Sequence, residues 1–419
     1  IGYLIFTLRI SSKTWLEQLQ QITIVVADAR DIRAIENLKP QDAITNPALI
    51  TAAAQMPEYK DIFHQTLLQA KQDAGAGATI DQIVSLAVDR LLVWFGQKIL
   101  KTITGRISTQ VDARLCYDTE AIIAKARYLV SLYEANNISR EKILMKIAST
   151  WEGIRAAEVL EKEGIHCHLN LLFGIHQAIA CAEAGVTLVS TLVGRIGDWF
   201  KKESGREFYP ATRDPGVLSI SQFYNYYKKF GYQTQIMVAG FRNIDQIAEL
   251  AGCDLLAISP VLLKKLQSTT GELPRQLVPA HAAEAHFRKI HIDKYTFYNM
   301  HEADRMAYQK LEEGIVGMSK TLVALEQLLA QWLECLENKY INSCSCLSLG
   351  NIFRVYDFDG DGFISREEWT GIDAVFDALD VNHDGIITPE EMAGGLGAAF
   401  HLSFNSLGFA NKSYEMKNL

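Results

Sequence analysis

No apolar run in this 419-residue chain approaches the roughly 18 consecutive residues that a membrane-crossing helix needs, so no membrane partner is expected. Basic charge is not in excess either. The 41 Lys and Arg residues against 49 Asp and Glu give a net charge of −8, which argues against nucleic acid as the main partner. Cysteine spacing offers neither C-x-x-C nor a Cys/His zinc pattern. The seven cysteines (116, 167, 181, 253, 335, 344 and 346) are scattered, as free thiols are in a reducing compartment, and a cytoplasmic setting is expected. The opening stretch "IGYLIFTLRISSKTW" has an apolar run but no basic segment before it and no small-residue cleavage site, so it makes a poor signal peptide. Residues 1–11 read as an extension outside the fold.

What the chain does contain is one pattern repeated. Short β-rich runs alternate with amphipathic helical stretches: "TIVVAD" (23–28), "DAITN" (42–46), "RISTQVD" (106–112), "ILMKIA" (143–148), "CHLNLLF" (167–173), "TLVSTLVG" (187–194), "QIMVAG" (235–240) and "LLAISP" (255–260). Eight such repeats predict a parallel sheet closed as a (β/α)8 TIM barrel, within an α/β fold class. A doubly wound open sheet would carry a glycine-rich phosphate loop after its first strand, and "ADARDI" has no glycine.

Barrels of this kind do their chemistry at the C-terminal ends of the strands. Polar residues there are Asp28, Asn46, Gln110, Lys146, His168, Asn170, Ser190 and Arg242, with Arg195 just beyond the sixth strand. Strand parity supports this set. Asp28 shares a face with Ile24 and Val26, Gln110 with Ser108 and Asp112, and His168 and Asn170 with Leu172. Lys146 stands out, in the middle of an apolar strand. Burial lowers a lysine's pKa, and a neutral amine can attack a carbonyl carbon to form a Schiff base. Asp28 is placed to act as its acid/base partner, and Arg195 and Arg242 suit a phosphate. The residues alone leave a second reading equally open, in which Lys146 is a structural partner of Asp112 or Asp28.

Composition shifts after residue 340. "LVALEQLLAQWLECLENKY" (322–340) reads as an amphipathic helix, and 341–350 as a linker. "DFDGDGFISREE" (357–368) and "DVNHDGIITPEE" (380–391) then match the twelve-residue EF-hand calcium loop. Asp357, Asp359 and Asp361 fill positions 1, 3 and 5 of the first loop, and Asp380, Asn382 and Asp384 those of the second. Phe363 and Ile386 offer carbonyls at position 7. Ser365 and Thr388 stand at position 9, Glu368 and Glu391 at position 12, and Gly362 and Gly385 make the turn at position 6. The two loops predict two Ca²⁺ sites in a small all-α EF-hand domain at 351–400. Phe353, Trp369, Val375 and Phe376 are its expected core, with Trp369 equally open as a contact to the barrel. Residues 401–419 read as a disordered tail.

The stretches "TNPALI" (45–50), "GRIST" (105–109), "VDARL" (111–115), "KIASTWEGIRAAEVLEKEGI" (146–165), "ACAEAGVTLVS" (180–190), "VGRI" (193–196) and "DPGVLS" (214–219) occur in order along residues 12–340. Together they make this region resemble transaldolase, a class I aldolase barrel of the pentose phosphate pathway. The resemblance implies a Schiff base on Lys146, acid/base work by Asp28, substrate hydrogen bonds from Asn46, Ser190 lining the site, and phosphate held by Arg195 and Arg242. It implies no organic cofactor. The implied reaction moves a dihydroxyacetone unit between sugar phosphates: fructose 6-phosphate, erythrose 4-phosphate, sedoheptulose 7-phosphate and glyceraldehyde 3-phosphate. A homodimer is compatible with the family.

Departures from the family pattern gather at the mouth. Gln110 stands where the family has a proton-moving glutamate. His168 and Asn170, expected to contact substrate, replace Asn and Thr, and that Thr helps hold the water the glutamate uses. Ile44, Thr191-Leu192 and Gly240 also depart. Besides a working transaldolase, the sequence therefore admits a catalytically impaired barrel retaining mainly calcium binding, and an aldolase with altered substrate choice.

Overall fold

The chain is described by a computed structural model over residues 13–27, 33, 35, 40–337, 353, 356–357, 361–369, 376–377 and 379–392. Asp28, Asp359, residues 1–11, the 341–350 linker with Cys344 and Cys346, Val375 and the 401–419 tail lie outside these residues.

All eight expected strands form: β1 (Ile24–Ala27), β2 (Ala43–Thr45), β3 (Ile107–Gln110), β4 (Ile143–Ala148), β5 (Cys167–Asn170), β6 (Leu188–Leu192), β7 (Gln235–Ala239) and β8 (Leu255–Ile258). They pair in the order β1-β8-β7-β6-β5-β4-β3-β2, every ladder parallel, which is a TIM barrel closed except between β1 and β2 among the described residues. Parallel neighbours need a crossover, and helices such as Thr119–Ala135, Trp151–Lys162, Ile175–Glu183 and Val193–Ser204 supply it. Their starts are written in the sequence. Asp118 and Thr150 accept from the backbone N–H of Ala121 and Gly153, satisfying donors that a helix leaves orphaned. Gly185 follows the Ile175–Glu183 helix at φ +69, where a side chain would be strained.

Alternation along the strands divides the barrel interior. Val26, Leu144, Leu188, Met237, Leu255 and Ala257 come from five strands and pack into one buried cluster, the apolar floor. Two residues further along β4 is Lys146, and two further along β6 is Ser190. The same faces therefore become polar toward the C-terminal ends. Above them, Ala148, Leu171, Phe173 and Ile196 pack with Met306, Ala307, Leu311 and Ile315 of the helix Arg305–Glu337. A Cβ on Gly314 of that helix would lie 2.4 Å from Leu171 Cδ2, so glycine there permits the close approach.

Of the stretch read as a helix over 322–340, residues 322–337 are thus the second half of a 33-residue helix, and 338–340 lie outside the described residues. Contacts divide the described chain into two compact units, one of residues up to 50 with 88–319, the other of 51–87 with 320 onward. In the second unit the EF-hand residues Phe353, Tyr356, Ile364, Trp369, Phe376, Leu379, Ile387 and Met392 form a core. Trp369, which sequence left between this core and a barrel contact, stacks on Tyr356 at 4.4 Å and meets Phe376 edge-on. The two loops pair through β9 (Ile364–Ser365) and β10 (Ile386–Ile387), a short antiparallel ladder in a module read as all-α. That core is not self-contained, because the buried Tyr356 hydroxyl accepts a 3.1 Å hydrogen bond from Gln55 Nε2.

Between the helices of the first unit, His176 Nε2 and His301 Nδ1 lie 2.9 Å apart, against Phe297. Burial first, and His301 second, bring the His176 pKa down to about 3. An unfolded histidine titrates near 6.5. The neutral ring therefore contributes its full stability above pH ~6.5 and loses it as pH falls toward 3. His176→Gln should shrink the loss of stability on going from pH 6.5 to 4.5 by at most about 1.4 kcal/mol per pH unit, read from urea midpoints. Parallel losses in both proteins would show that His176 takes up its proton as readily in the folded chain as in the unfolded one.

Candidate active site

Parallel register assembles the site. Gln110 pairs with Lys146 and Lys146 with His168, so three adjacent strands carry these side chains in one row. Leu144, two residues before Lys146, belongs to the apolar floor, so the row faces inward. Gln110 and His168 are buried and Lys146 half-buried, a short step from that floor. Asp112, one of the two partners that sequence offered Lys146, bonds its carboxylate to Arg114 at 2.7 Å and caps the following turn.

His168 is placed differently from the substrate contact that sequence assigned to it. It has no exposure, and both ring nitrogens are engaged: Nδ1 at 2.9 Å from Ser108 Oγ and Nε2 at 2.7 Å from Ser190 Oγ. Burial, and then the Lys146 charge, hold its pKa well below the usual histidine value, so the ring is neutral. A neutral imidazole has one donor and one acceptor, and the two serines use both. Ser190 itself is only partly covered.

Asn170 ends β5. Its Nδ2 donates to Met318 Sδ at 3.5 Å, while its buried Oδ1 has no hydrogen-bond partner among the described residues. An unmatched buried amide oxygen costs about 1–3 kcal/mol, which marks it as an acceptor for a hydroxyl or water. The next residue, Leu171, has φ +57, unusual for a non-glycine residue and a small store of strain at the strand's end. Around it the loops are stitched by Gln177, which sequence analysis did not single out. Its Oε1 accepts from Phe173 and Gly174 N–H, and its Nε2 donates to the Ser149 and Leu171 carbonyls. Ser149 Oγ in turn donates to the Asn170 carbonyl at 2.6 Å.

Asn46 follows β2 and its Oδ1 accepts from Leu49 N–H at 2.9 Å, at the start of the helix Pro47–Ala54. The carbonyl end of its amide is thus spent on the helix, leaving the NH₂ as the end for a ligand. Arg195 is exposed in the first turn of the helix Val193–Ser204. Arg242 donates to Asp198 of that helix through Nε (3.2 Å) and Nη2 (2.6 Å). Asp198 lies one turn after Arg195, so the Arg242 guanidinium is held on the helix face that carries Arg195. Asp198 was not foreseen, although its i,i+3 spacing from Arg195 was available as a signal. Gly194 makes the approach possible: a Cβ there would lie 2.3 Å from the Gly240 carbonyl and 2.8 Å from Arg242 Nε.

The calcium loops also have their expected geometry. Gly362 and Gly385 take φ +87 and +89, as the turn at position 6 demands. Glu368 Oε2 accepts from Ser365 Oγ at 2.7 Å, and Glu391 Oε2 from Thr388 Oγ1 at 2.9 Å. Asp380 is buried and accepts from Asp384 and Gly385 N–H, and the buried Asp357 Oδ1 has no hydrogen-bond partner among the described residues. Among the described residues no three acidic, His or Cys side chains converge to metal-binding distance.

Known proteins agree with this arrangement. The profile of the family described as Transaldolase/Fructose-6-phosphate aldolase matches residues 25–329, and that described as EF hand matches 351–370 and 372–394. A protein named transaldolase from Thermosynechococcus vestitus is 62% identical over 388 residues, covering 93% of this chain and 98% of that one. One from Gloeobacter violaceus is 60% identical over 389 residues, covering 93% and 99%. One from Nostoc sp. is 66% identical over 326 residues, covering 78% and 98%. A polar row at the C-terminal ends of β3, β4 and β5, above an apolar barrel floor and spanned by this match, places the chain in the transaldolase/fructose-6-phosphate aldolase family of enzymes.

Proposed function

We propose that the chain transfers a dihydroxyacetone unit from a ketose phosphate, fructose 6-phosphate or sedoheptulose 7-phosphate, to an aldose phosphate, erythrose 4-phosphate or glyceraldehyde 3-phosphate. The carrier is a Schiff base on Lys146. The observation that supports this most directly is the row Gln110–Lys146–His168, which sets one amine among neutral, buried neighbours over an apolar floor. Desolvation favours the neutral, nucleophilic amine. The imine withdraws electrons from the neighbouring C–C bond, and Asp28 is assigned the proton transfer at that bond. The Asn46 NH₂ and Ser190 hydroxyl are assigned to substrate hydroxyls, and Arg195 and Arg242 to the phosphate. The free thiols Cys116, Cys167, Cys181 and Cys253 accord with a cytoplasmic enzyme.

Sodium borohydride with fructose 6-phosphate should add a stable mass to the peptide containing "MKIASTWEGIR". An adduct on a different lysine, or none, would sink the mechanism.

Gln110 sets the second expectation. Its amide cannot take up a proton, so imine formation lacks the relay a carboxylate supplies. Asn170, with its unpartnered Oδ1, stands where the resemblance puts a threonine that holds the relay's water. Gln110→Glu should therefore raise the transfer rate by on the order of 10- to 100-fold. Adding Asn170→Thr should raise it further and non-additively, because both groups would hold one water. An unchanged rate in Gln110→Glu would place the limit elsewhere in the mouth.

The EF-hand loops are assigned two Ca²⁺ ions. Asp357, Asp359, Asp361, the Phe363 carbonyl, Ser365 and Glu368 would hold the first. Asp380, Asn382, Asp384, the Ile386 carbonyl, Thr388 and Glu391 would hold the second. The glycine turns, the anchored glutamates and the orphaned Asp357 Oδ1 fit this donor set. The first loop brings one more carboxylate, since Asn382 is neutral, so it should be the tighter. Calorimetric titration of the full chain should show two sites, with Glu368→Gln losing more affinity than Glu391→Gln. Fewer than two bound ions, or equal losses, would contradict the assignment.

A further inference from the structure

Ser108, His168 and Ser190 form a continuous hydrogen-bonded ladder across the barrel interior, from β3 through β5 to β6. The ladder climbs. Ser108 lies two residues before Gln110 on β3, and Ser190 two residues after Leu188, the register partner of His168. Its lower end is buried, and its upper end is the partly covered Ser190 hydroxyl. We propose that His168 is a positioning residue for the Lys146 chemistry, with Ser108 anchoring the ring through Nδ1 and the ring holding the Ser190 hydroxyl through Nε2. This rests on the reading of Lys146 as the Schiff-base lysine.

The physical case has three parts. His168 cannot meet substrate, because it has no exposure and both nitrogens are occupied. A serine hydroxyl alone rotates freely about Cβ–Oγ, whereas one bonded at 2.7 Å to a fixed ring keeps one orientation. His168 is also the register neighbour of Lys146, so what it orients stands beside the amine that reacts. The ring exchanges no proton in the reaction. It acts by fixing which way the hydroxyl of Ser190 points while the carbinolamine on Lys146 forms and loses water. Misplacement of such a group by about 1 Å costs on the order of 100-fold.

The test measures the rate at which fructose 6-phosphate and borohydride label Lys146 in the full chain, across a pH series and alongside thermal melts. His168→Phe keeps the ring's bulk and removes both nitrogens. His168→Gln keeps an amide long enough to reach Ser190. His168→Phe should slow labelling by about 10- to 100-fold, and His168→Gln should recover to within several-fold of the original rate. Ser190→Ala should slow it as His168→Phe does, and the double variant should be no slower than the worse single one, because both act through one hydroxyl. The pH profile of His168→Gln should keep the wild-type shape. Should His168→Phe fail to fold, Ser108→Ala carries the same test. It should slow labelling several-fold in the wild-type background and have no effect once Ser190 is alanine. Additive losses, a His168→Gln variant as slow as His168→Phe, or a pH limb that disappears with the imidazole would overturn the positioning role while leaving Lys146 as the nucleophile. Absence of any wild-type adduct would overturn both.

Discussion

A slip of one residue between β4 and β5 would turn His168 out of the barrel and leave Lys146 beside Cys167 or Leu169. The register of these strands is what the rest of the site depends on. Parallel pairing puts Gln110, Lys146 and His168 on one level, and period-two alternation puts them on the inward face. The apolar floor below locks that register, because shifting any strand by one residue would exchange Leu144, Leu188 or Leu255 for outward-facing side chains. Stability and function thus lean on the same pairing. The residues that fill the floor also fix where the mouth begins.

The mouth is consequently a mixture of rigid and adaptable parts. His168, Gln177 and Ser149 have their polar atoms engaged and hold the ends of β4, β5 and β6. Asn170 keeps an unpartnered oxygen, and Leu171 beside it a strained backbone. On the side of Arg195 and Arg242, Asp198 gives the Arg242 guanidinium a defined direction. In the EF-hand region, Asp357 and Glu368, the first and last residues of the first loop, directly adjoin Tyr356 and Trp369, the stacked pair of its core.

The eight strands, their inward faces and the two calcium loops were legible because each rests on local rules. Alternation of period two marks a strand and its buried side, and ligand spacing with a glycine at position 6 marks an EF-hand loop. Lys146 was legible as an anomaly, a cation inside an apolar strand. Its neighbours across the ladder were not, since pairing between β3, β4 and β5 joins residues about 20 to 40 positions apart. His168 shows the limit most clearly. Its strand position was evident from sequence, but not that Ser108 and Ser190 take both of its nitrogens.

The sequence by itself determined the barrel, the calcium-loop geometry and the set of polar residues at the strand ends. These follow from side-chain periodicity and from ligand spacing within a dozen residues. Only the tertiary structure decided that Asp198 pairs with Arg242 and that Asn46 spends its carbonyl on a helix. It also decided that the two calcium loops form a ladder with each other and that Tyr356 reaches Gln55. The Arg242 and Tyr356 contacts close between segments far apart in the chain. Their energy depends on distances and directions that no local pattern encodes.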